Sequence, residues 1–195
     1  MAQFSPRQIL GKWRKGYALD LHTLSSIPVG YNEFGHMQFD TTRSEVGELL
    51  FKLKSRSDQA VIPEIAAAVA RLMKAWGPPV DMIVPVPPST PRPLQPVMAL
   101  ATAISAQLQI PLVEAISKTR DTPQLKNIVD LDERLNALEG VHAADQVHVK
   151  GRTVLLFDDL FRSGATMNSV TTALYDQGGV ADVYALTITR TRSHH

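Results

Sequence analysis

The 195-residue sequence contains no cysteine. That excludes disulfides, a thiolate nucleophile and any cysteine-ligated zinc site, and it fits a reducing cytoplasm, the compartment expected for the chain. An excess of one charge is missing too: 20 Lys and Arg stand against 19 Asp and Glu, a formal net charge of +1. No bulk field announces a nucleic-acid binder or a membrane-surface protein. The first twenty residues hold no apolar stretch long enough for a signal peptide, and nothing downstream is long enough to span a bilayer. Internal repeats and low-complexity tracts are absent as well. What remains is an apolar content of 44% in a chain long enough to bury roughly 70% of its unfolded surface, in one domain or one domain with a small accessory segment.

The pattern along the chain divides in two. In the first part, "GYALDLHTL" alternates loosely and reads as a strand, while "SSIPVGYNEFGH" carries turn chemistry at Pro28, Gly30, Asn32 and Gly35. "TTRSEVGELLFKLKSR" reads as a helix with Thr42 and Glu45 as a capping box and Val46, Leu49, Leu50 and Leu53 on one face. Lys52, Lys54 and Arg56 read as a solvated helix end. Phe51 alone beside them is thin support for the base stacking that single-stranded nucleic-acid binding needs. A second helix, "PEIAAAVARLMKAW", starts after Pro63 and ends before Gly77.

The rest alternates strands with helices. Residues 80–84, "PLVEAI", "TVLLF" and "ADVYALTIT" read as strands; "PVMALATAISAQL" and "TMNSVTTALYDQG" read as helices, the latter ended by Gly178 and Gly179. Residues 117–136 are polar and charged, a long loop expected to act as a lid. Short apolar strands between amphipathic helices predict an α/β fold, a parallel twisted sheet flanked by helices.

The stretch "VLLFDDLFRSGATMN" is where chemistry is expected. An apolar strand runs into Asp158 and Asp159, and a small-residue turn of Ser163, Gly164, Ala165 and Thr166 opens a helix. Ligands of open parallel sheets bind beyond the carboxyl ends of the strands. Unpaired N–H groups at a helix N-terminus suit a phosphate, and Ser163 and Thr166 add hydroxyl donors. Carboxylates only accept hydrogen bonds, so the acid pair suits a diol such as ribose O2 and O3. An acid pair followed by a phosphate cradle describes a site for a ribose 5-phosphate. The bland alternative is a strand end followed by an ordinary helix cap. His22 and His36 are the N-terminal titratable candidates for acid–base work, and both are read as structural.

"VLLFDDLFRSGAT" resembles the phosphoribosyl-pyrophosphate motif of type I phosphoribosyltransferases. The resemblance implies that fold, with a small N-terminal accessory segment over residues 1–58 and a phosphoribosyltransferase-like domain over residues 59–195. It implies that Asp158 and Asp159 contact the ribose hydroxyls and serve catalysis, and that Ser163, Gly164, Ala165 and Thr166 hold the 5-phosphate. Arg162 departs from the motif and either adds a phosphate contact or faces solvent. "IVPVPPSTPRP" resembles the pyrophosphate loop, which makes Arg92 the cation for the leaving group.

"RSEVGELLFKLKSRSD" and "RDTPQLKNIVDLDERLNAL" are similar to stretches of the competence-protein-F-like (ComF-like) branch, although that branch's cysteine zinc module is absent and "PLQPV" replaces its Arg-Gly-Phe-Asn-Gln run. The resemblance implies a lid carrying Lys118, Arg120, Lys126 and Arg134. It implies Mg2+ as cofactor, reached by Asp158 or Asp159 directly or through water. The expected activity is transfer of a phosphoribosyl group from phosphoribosyl pyrophosphate to an unidentified acceptor. The alternative is a non-catalytic sensor of that ligand, or a competence-related protein acting on DNA. A Gly-x-Gly-x-x-Gly or Walker-type turn is not present, which disfavours other nucleotide-binding α/β folds.

Overall fold

The structure, a computed structural model, describes residues 1–88, 93–120, 138 and 140–192. Its centre is a five-stranded sheet. The strands are β1 (Arg7–Gln8), β2 (Lys15–Leu21), β5 (Met82–Pro85), β8 (Thr153–Phe161) and β9 (Asp182–Arg190), in spatial order β1-β2-β9-β8-β5. All neighbours are parallel except the short edge strand β1. The interior strands are apolar on both faces, as a sheet covered on both sides requires. The expected α/β fold with a parallel sheet flanked by helices is therefore present. Among the described residues, no helix is long and apolar enough to cross a membrane.

The covering layers come from helices α1 (Glu45–Arg56), α2 (Ile62–Trp76), α3 (Pro96–Leu108) and α5 (Ala165–Ala173); the single-turn α4 (Gln146–Val149) lies before β8. Leu155 and Phe157 of β8 pack in one core with Leu50 of α1, Ile65 of α2 and Leu100 of α3. Val154 and Leu156 pack in a second core with Met167 and Val170 of α5. Successive strand residues face opposite sides, so β8 feeds both cores in turn.

Several local expectations change. The turn-rich segment after β2 forms a hairpin of β3 (Thr23–Tyr31) and β4 (Met37–Arg43), with the turn confined to residues 32–36. Thr42 therefore lies in β4 opposite Ser25, and the cap of α1 is Ser44, whose Oγ accepts from Gly47 N at 3.0 Å and donates to Leu21 O at 2.6 Å. The expected strand "PLVEAI" shrinks to one parallel bridge, Leu112 to Ile83, on the outer edge of β5. Ser117 and Lys118, expected in a loop, belong to β6 (Ile116–Lys118), which pairs antiparallel with β7 (His142–Ala144). The helix α5 closes in a wider π turn over Leu174–Gly178 before Gly179 ends it in the left-handed region. Of residues 1–58, β1, β2 and α1 join the main sheet and its covering layer, and the β3–β4 hairpin stands apart as its own two-stranded sheet.

Strand order locates the site. From β5 the chain crosses through α3 to Leu112 on one side of β5. It later enters β8 on the other side and continues through α5 to β9, further away still. The direction of winding reverses between β5 and β8, and such a switch point leaves a crevice at the carboxyl ends of its two strands.

Candidate functional site

Asp158 and Asp159 sit at this crevice. β8 pairs with β5 only as far as Phe157, whereas its pairing with β9 continues to Phe161. The aspartates are therefore not beyond the strand's end, as the apolar run alone suggested, but within it. They stand one and two residues past the end of the neighbouring strand. From residue 158 the β5-side edge of β8 is open, which is what lets two carboxylates occupy the middle of a buried sheet.

Being consecutive on a strand, the two side chains divide between the faces. Asp159 shares the face of Leu155 and Phe157 and is buried. There it meets Lys54 from the last turn of α1, with Nζ 2.7 Å from Oδ2 and 2.9 Å from Oδ1. Lys54 is thus no solvated helix end; the position of α1 over this face turns it inward. Asp158 lies on the face of Val154 and Leu156, which α5 covers, and its Oδ1 accepts from Asp159 N at 2.8 Å. Its carboxyl group is enclosed by protein although part of the residue still meets solvent. Burial, and then the neighbouring Asp159 charge, push its pKa up to about 7; the Asp159 amide and Lys54 oppose the rise. Asp159 thus has a cation, and among the described residues Asp158 has no ion pair.

The turn after β8 has the expected form. Arg162 and Ser163 are exposed. Gly164 caps α5 with φ +77°, and a Cβ on it would meet the Phe161 ring at 2.9 Å, so both conformation and space call for glycine. No side chain caps α5 at Gly164; Ser163 Oγ reaches the Ala165 amide only at 3.5 Å. The first amides of the helix are therefore available to an anion. Ala165 is buried against Leu138 and Val141, and Thr166 is half-buried.

Three further residues border the site. Gly47 packs so tightly against the His22 carbonyl that a side chain would collide with it, which seats α1 on the carboxyl end of β2. Arg43, at the end of β4, stacks its guanidinium 3.8 Å from the centre of the Phe51 ring and pairs with Glu48 at 3.4 Å. His22 follows β2, and its Nδ1 lies 3.1 Å from Thr189 Oγ1. Burial, then the cations Arg43 and Lys54, push the His22 pKa down, so the ring is neutral near neutral pH. His36 sits in the hairpin turn. The Arg-x-x-x-Gly spacing of Arg43 and Gly47 was visible in the sequence. The inward turn of Lys54 was not, because a lysine in a last helical turn is ordinarily solvated.

The remaining expected residues are not all placed. Arg92, Lys126 and Arg134 lie outside the described residues. Lys118 stands opposite His142 in the β6–β7 pair, where its charge helps burial hold the His142 pKa down at about 4. Arg120 is exposed just beyond β6. No cluster of three or more His, Asp or Glu able to cage a metal occurs among the described residues.

Neither a family model nor a curated protein matches the sequence. Solved structures do resemble the chain. UMP synthase of Leishmania donovani is 18% identical with a TM-score of 0.44, over 82% of this chain and 28% of that one. Glutamine phosphoribosylpyrophosphate amidotransferase of B. subtilis is 16% identical with a TM-score of 0.45, over 76% and 28%. Adenine phosphoribosyltransferase of Leishmania tarentolae is 10% identical with a TM-score of 0.48, over 95% and 94%. The chain thus spans little more than a quarter of the first two proteins.

Proposed function

We propose that the chain binds phosphoribosyl pyrophosphate in the crevice between β5 and β8 and transfers its phosphoribosyl group to an acceptor, releasing pyrophosphate. One observation carries this reading: an acid pair at the sheet's switch point, followed at once by an uncapped helix N-terminus behind Gly164. That order matches a ribose 5-phosphate, with acceptors for its hydroxyls and amide donors for its phosphate.

In this reading the amides of Ala165 and Thr166, with the Ser163 and Thr166 hydroxyls, hold the 5-phosphate, and Arg162 adds charge at the rim. Asp158 accepts from the ribose hydroxyls. Asp159, held by Lys54, fixes the local field on the opposite face of the strand. As the bond from the anomeric carbon to the pyrophosphate oxygen breaks, its electron pair leaves with pyrophosphate and positive charge grows on the ribose. The carboxylate of Asp158 beside that ring, with the charge of Asp159 behind it on the strand's other face, favours the change. Arg92 would stabilise the leaving group, and Lys118, Arg120 and Arg134 would close over it. The acceptor's lone pair then forms the new bond.

Mg2+ fits the donor set. Mg2+ binds through one or two carboxylates with substrate phosphates rather than in a protein cage. Of the acid pair, Asp158 is the carboxylate with no ion pair among the described residues. When bound, the ion would neutralise the diphosphate.

A second reading, a sensor that binds the ligand without turnover, is favoured by the Lys54–Asp159 ion pair, which already neutralises half of the acid pair. The experiment that separates the two is pyrophosphate release from phosphoribosyl pyrophosphate and Mg2+ across a panel of bases and amines. Release with any acceptor supports the enzyme. Binding without release from any of them supports the sensor, and no binding at millimolar ligand sinks both.

A further inference from the structure

Two side chains that the proposed chemistry does not use meet behind the phosphate cradle. Ser169 stands one turn after Ala165 on α5, so both face the same way, toward the β6–β7 ribbon. Ala165 packs there with Leu138 and Val141. Ser169 Oγ donates to Leu138 O at 2.9 Å and lies 2.8 Å from His142 Nδ1. Leu138 O also accepts from Val141 N at 3.2 Å. A serine hydroxyl has a single hydrogen. With that hydrogen given to Leu138 O, His142 Nδ1–H is the donor to Ser169, and Nε2 of the neutral ring is left as a bare acceptor.

Packing alone would not put a histidine here. His142 is 2% exposed, and its Nε2 is enclosed without a hydrogen-bond partner among the described residues. A buried acceptor left unpaired costs stability, so an apolar side chain of similar size would serve a purely structural purpose better. What the histidine adds is the Nδ1–H. The ribbon that carries it is short, three pairs between Ile116–Lys118 and His142–Ala144, and a two-stranded ribbon is marginal without a packed face. Thr119 closes one end, its Oγ1 donating to Gly140 O and its N to Val141 O, both at 2.8 Å. On another flank of α5, Asn168 Oδ1 accepts from Lys12 N at 2.8 Å. The first turns of α5 are thus braced on two sides, by the chain before β2 and by the ribbon.

We propose that His142 and Ser169 are positioning residues for the phosphate cradle. The hydrogen bonds from His142 through Ser169 to Leu138 O, with the packing of Ala165 on Leu138 and Val141 beside them, lock the first turns of α5 against the ribbon. They thereby fix the direction of the Ala165 and Thr166 amides. The role rests on the proposed function for its ligand, the 5-phosphate that those amides would hold; the lock itself stands without it. Neither side chain touches the ligand in this role. Donors already held in place bind an anion better than donors free to turn, because their ordering is completed when the chain folds.

Wild type, His142→Leu and His142→Asn, each as the full chain, test the proposal. Asparagine places an N–H donor at the same distance along the side chain as Nδ1, whereas leucine fills the space and offers none. The first readout is the Ala165 and Thr166 amide signals in proton–nitrogen correlation spectra of the free proteins. They are expected to shift in His142→Leu and to return toward wild type in His142→Asn. The second is affinity for ribose 5-phosphate by calorimetry, expected to fall about tenfold in His142→Leu and to recover to within about threefold of wild type in His142→Asn. The melting temperature of His142→Leu should hold or rise, a combination that a merely structural histidine would not give. Ser169→Ala, which removes the acceptor instead, is read the same way and takes the place of a His142→Leu that does not fold. Unmoved Ala165 and Thr166 amides overturn the proposal, as does an affinity equal to wild type or an asparagine variant no better than leucine. If wild type binds no ribose 5-phosphate while the amides still shift and recover, the lock on α5 stands and the assignment of its amides to a 5-phosphate fails.

Discussion

Lys54 Nζ lies 2.7 Å from Asp159 Oδ2, joining the last turn of α1 to the middle of β8 across 105 residues of sequence. The carboxylate is nearly buried and the ammonium is partly exposed. Removing the cation leaves a buried charge without a partner, while removing both costs little beyond the lost packing. Lys54→Met is therefore expected to destabilise the chain by about 2 kcal/mol, discounted for the solvent that reaches Lys54. Adding Asp159→Asn to that variant should recover most of the loss. Urea denaturation of the two single variants and the double variant measures the coupling; purely additive effects would show that the pair contributes nothing.

Asp158 sets a pH dependence of stability with a definite sign. Its pKa in the folded chain is raised, through burial and the adjacent Asp159, to about 7, above the ordinary carboxylate value. Between those two values the folded chain holds a proton that the unfolded chain has lost. The stability tied to this group is thus present below the ordinary value and is lost as pH rises toward 7. Asp158→Asn should raise the melting temperature at pH 8, by an amount corresponding to about 1–2 kcal/mol, and change little at pH 3.5. If Asp158 takes up a cation or a ribose diol as a carboxylate, ligand binding in wild type should also strengthen as pH rises from 6 to 8. Equal shifts at both ends of the pH range would remove Asp158 from the account.

The sheet and its helices were legible because both signals are local. "TVLLF" and "ADVYALTIT" are apolar on both faces, and α2 and α3 show their buried stripes. The motif was legible because acid pair, glycine turn and helix are contiguous. Three features were not. The hairpin's residues 25–31 carry Pro28 and Gly30, which read as a turn, and only the pairing with β4 reveals the strand and its bulge. The strand β8 continues through Asp158 and Asp159 because β9 keeps pairing with it, a fact held in the partner strand and not in the segment. Lys54 reaches Asp159 only through the packing of α1 on the sheet, and no spacing in the sequence announces a contact that distant.

Ser163→Asp tests the phosphate cradle. The substitution places a negative charge at an exposed position in front of the uncapped amides of α5. Acidic side chains are tolerated at a helix N-terminus, so the melting temperature of the free protein should hold or rise slightly. The shift produced by phosphoribosyl pyrophosphate with Mg2+ should disappear, because ligand binding to the folded state is what raises the melting temperature. An undiminished shift in the variant would put the 5-phosphate elsewhere.

Gly164→Val separates the shape of the turn from its charge. It adds no charge, but it forces a branched side chain into a left-handed backbone and against the Phe161 ring. A destabilisation of about 2 kcal/mol or more is expected, measured by urea denaturation, together with loss of the ligand shift. A variant of wild-type stability would mean that the turn adopts another conformation in solution.

Asp159→Asn decides between enzyme and sensor. The amide keeps the shape and one hydrogen-bonding oxygen of the carboxylate and removes its charge. Lys54, partly exposed, can then turn its ammonium to solvent, so the fold should survive. In an enzyme the two carboxylates matter most when positive charge develops on the ribose, so their attraction is greater in the transition state than in the bound substrate. Turnover to pyrophosphate should then fall at least about tenfold, or about 1.4 kcal/mol of transition-state stabilisation, while ligand affinity falls less. In a sensor, no variant changes a turnover that does not exist, and the same substitution alters only the binding curve. Release of pyrophosphate at equal rates by wild type and variant, with some acceptor, would mean that the reaction proceeds without the charge of Asp159, and that its ion pair with Lys54 is structural.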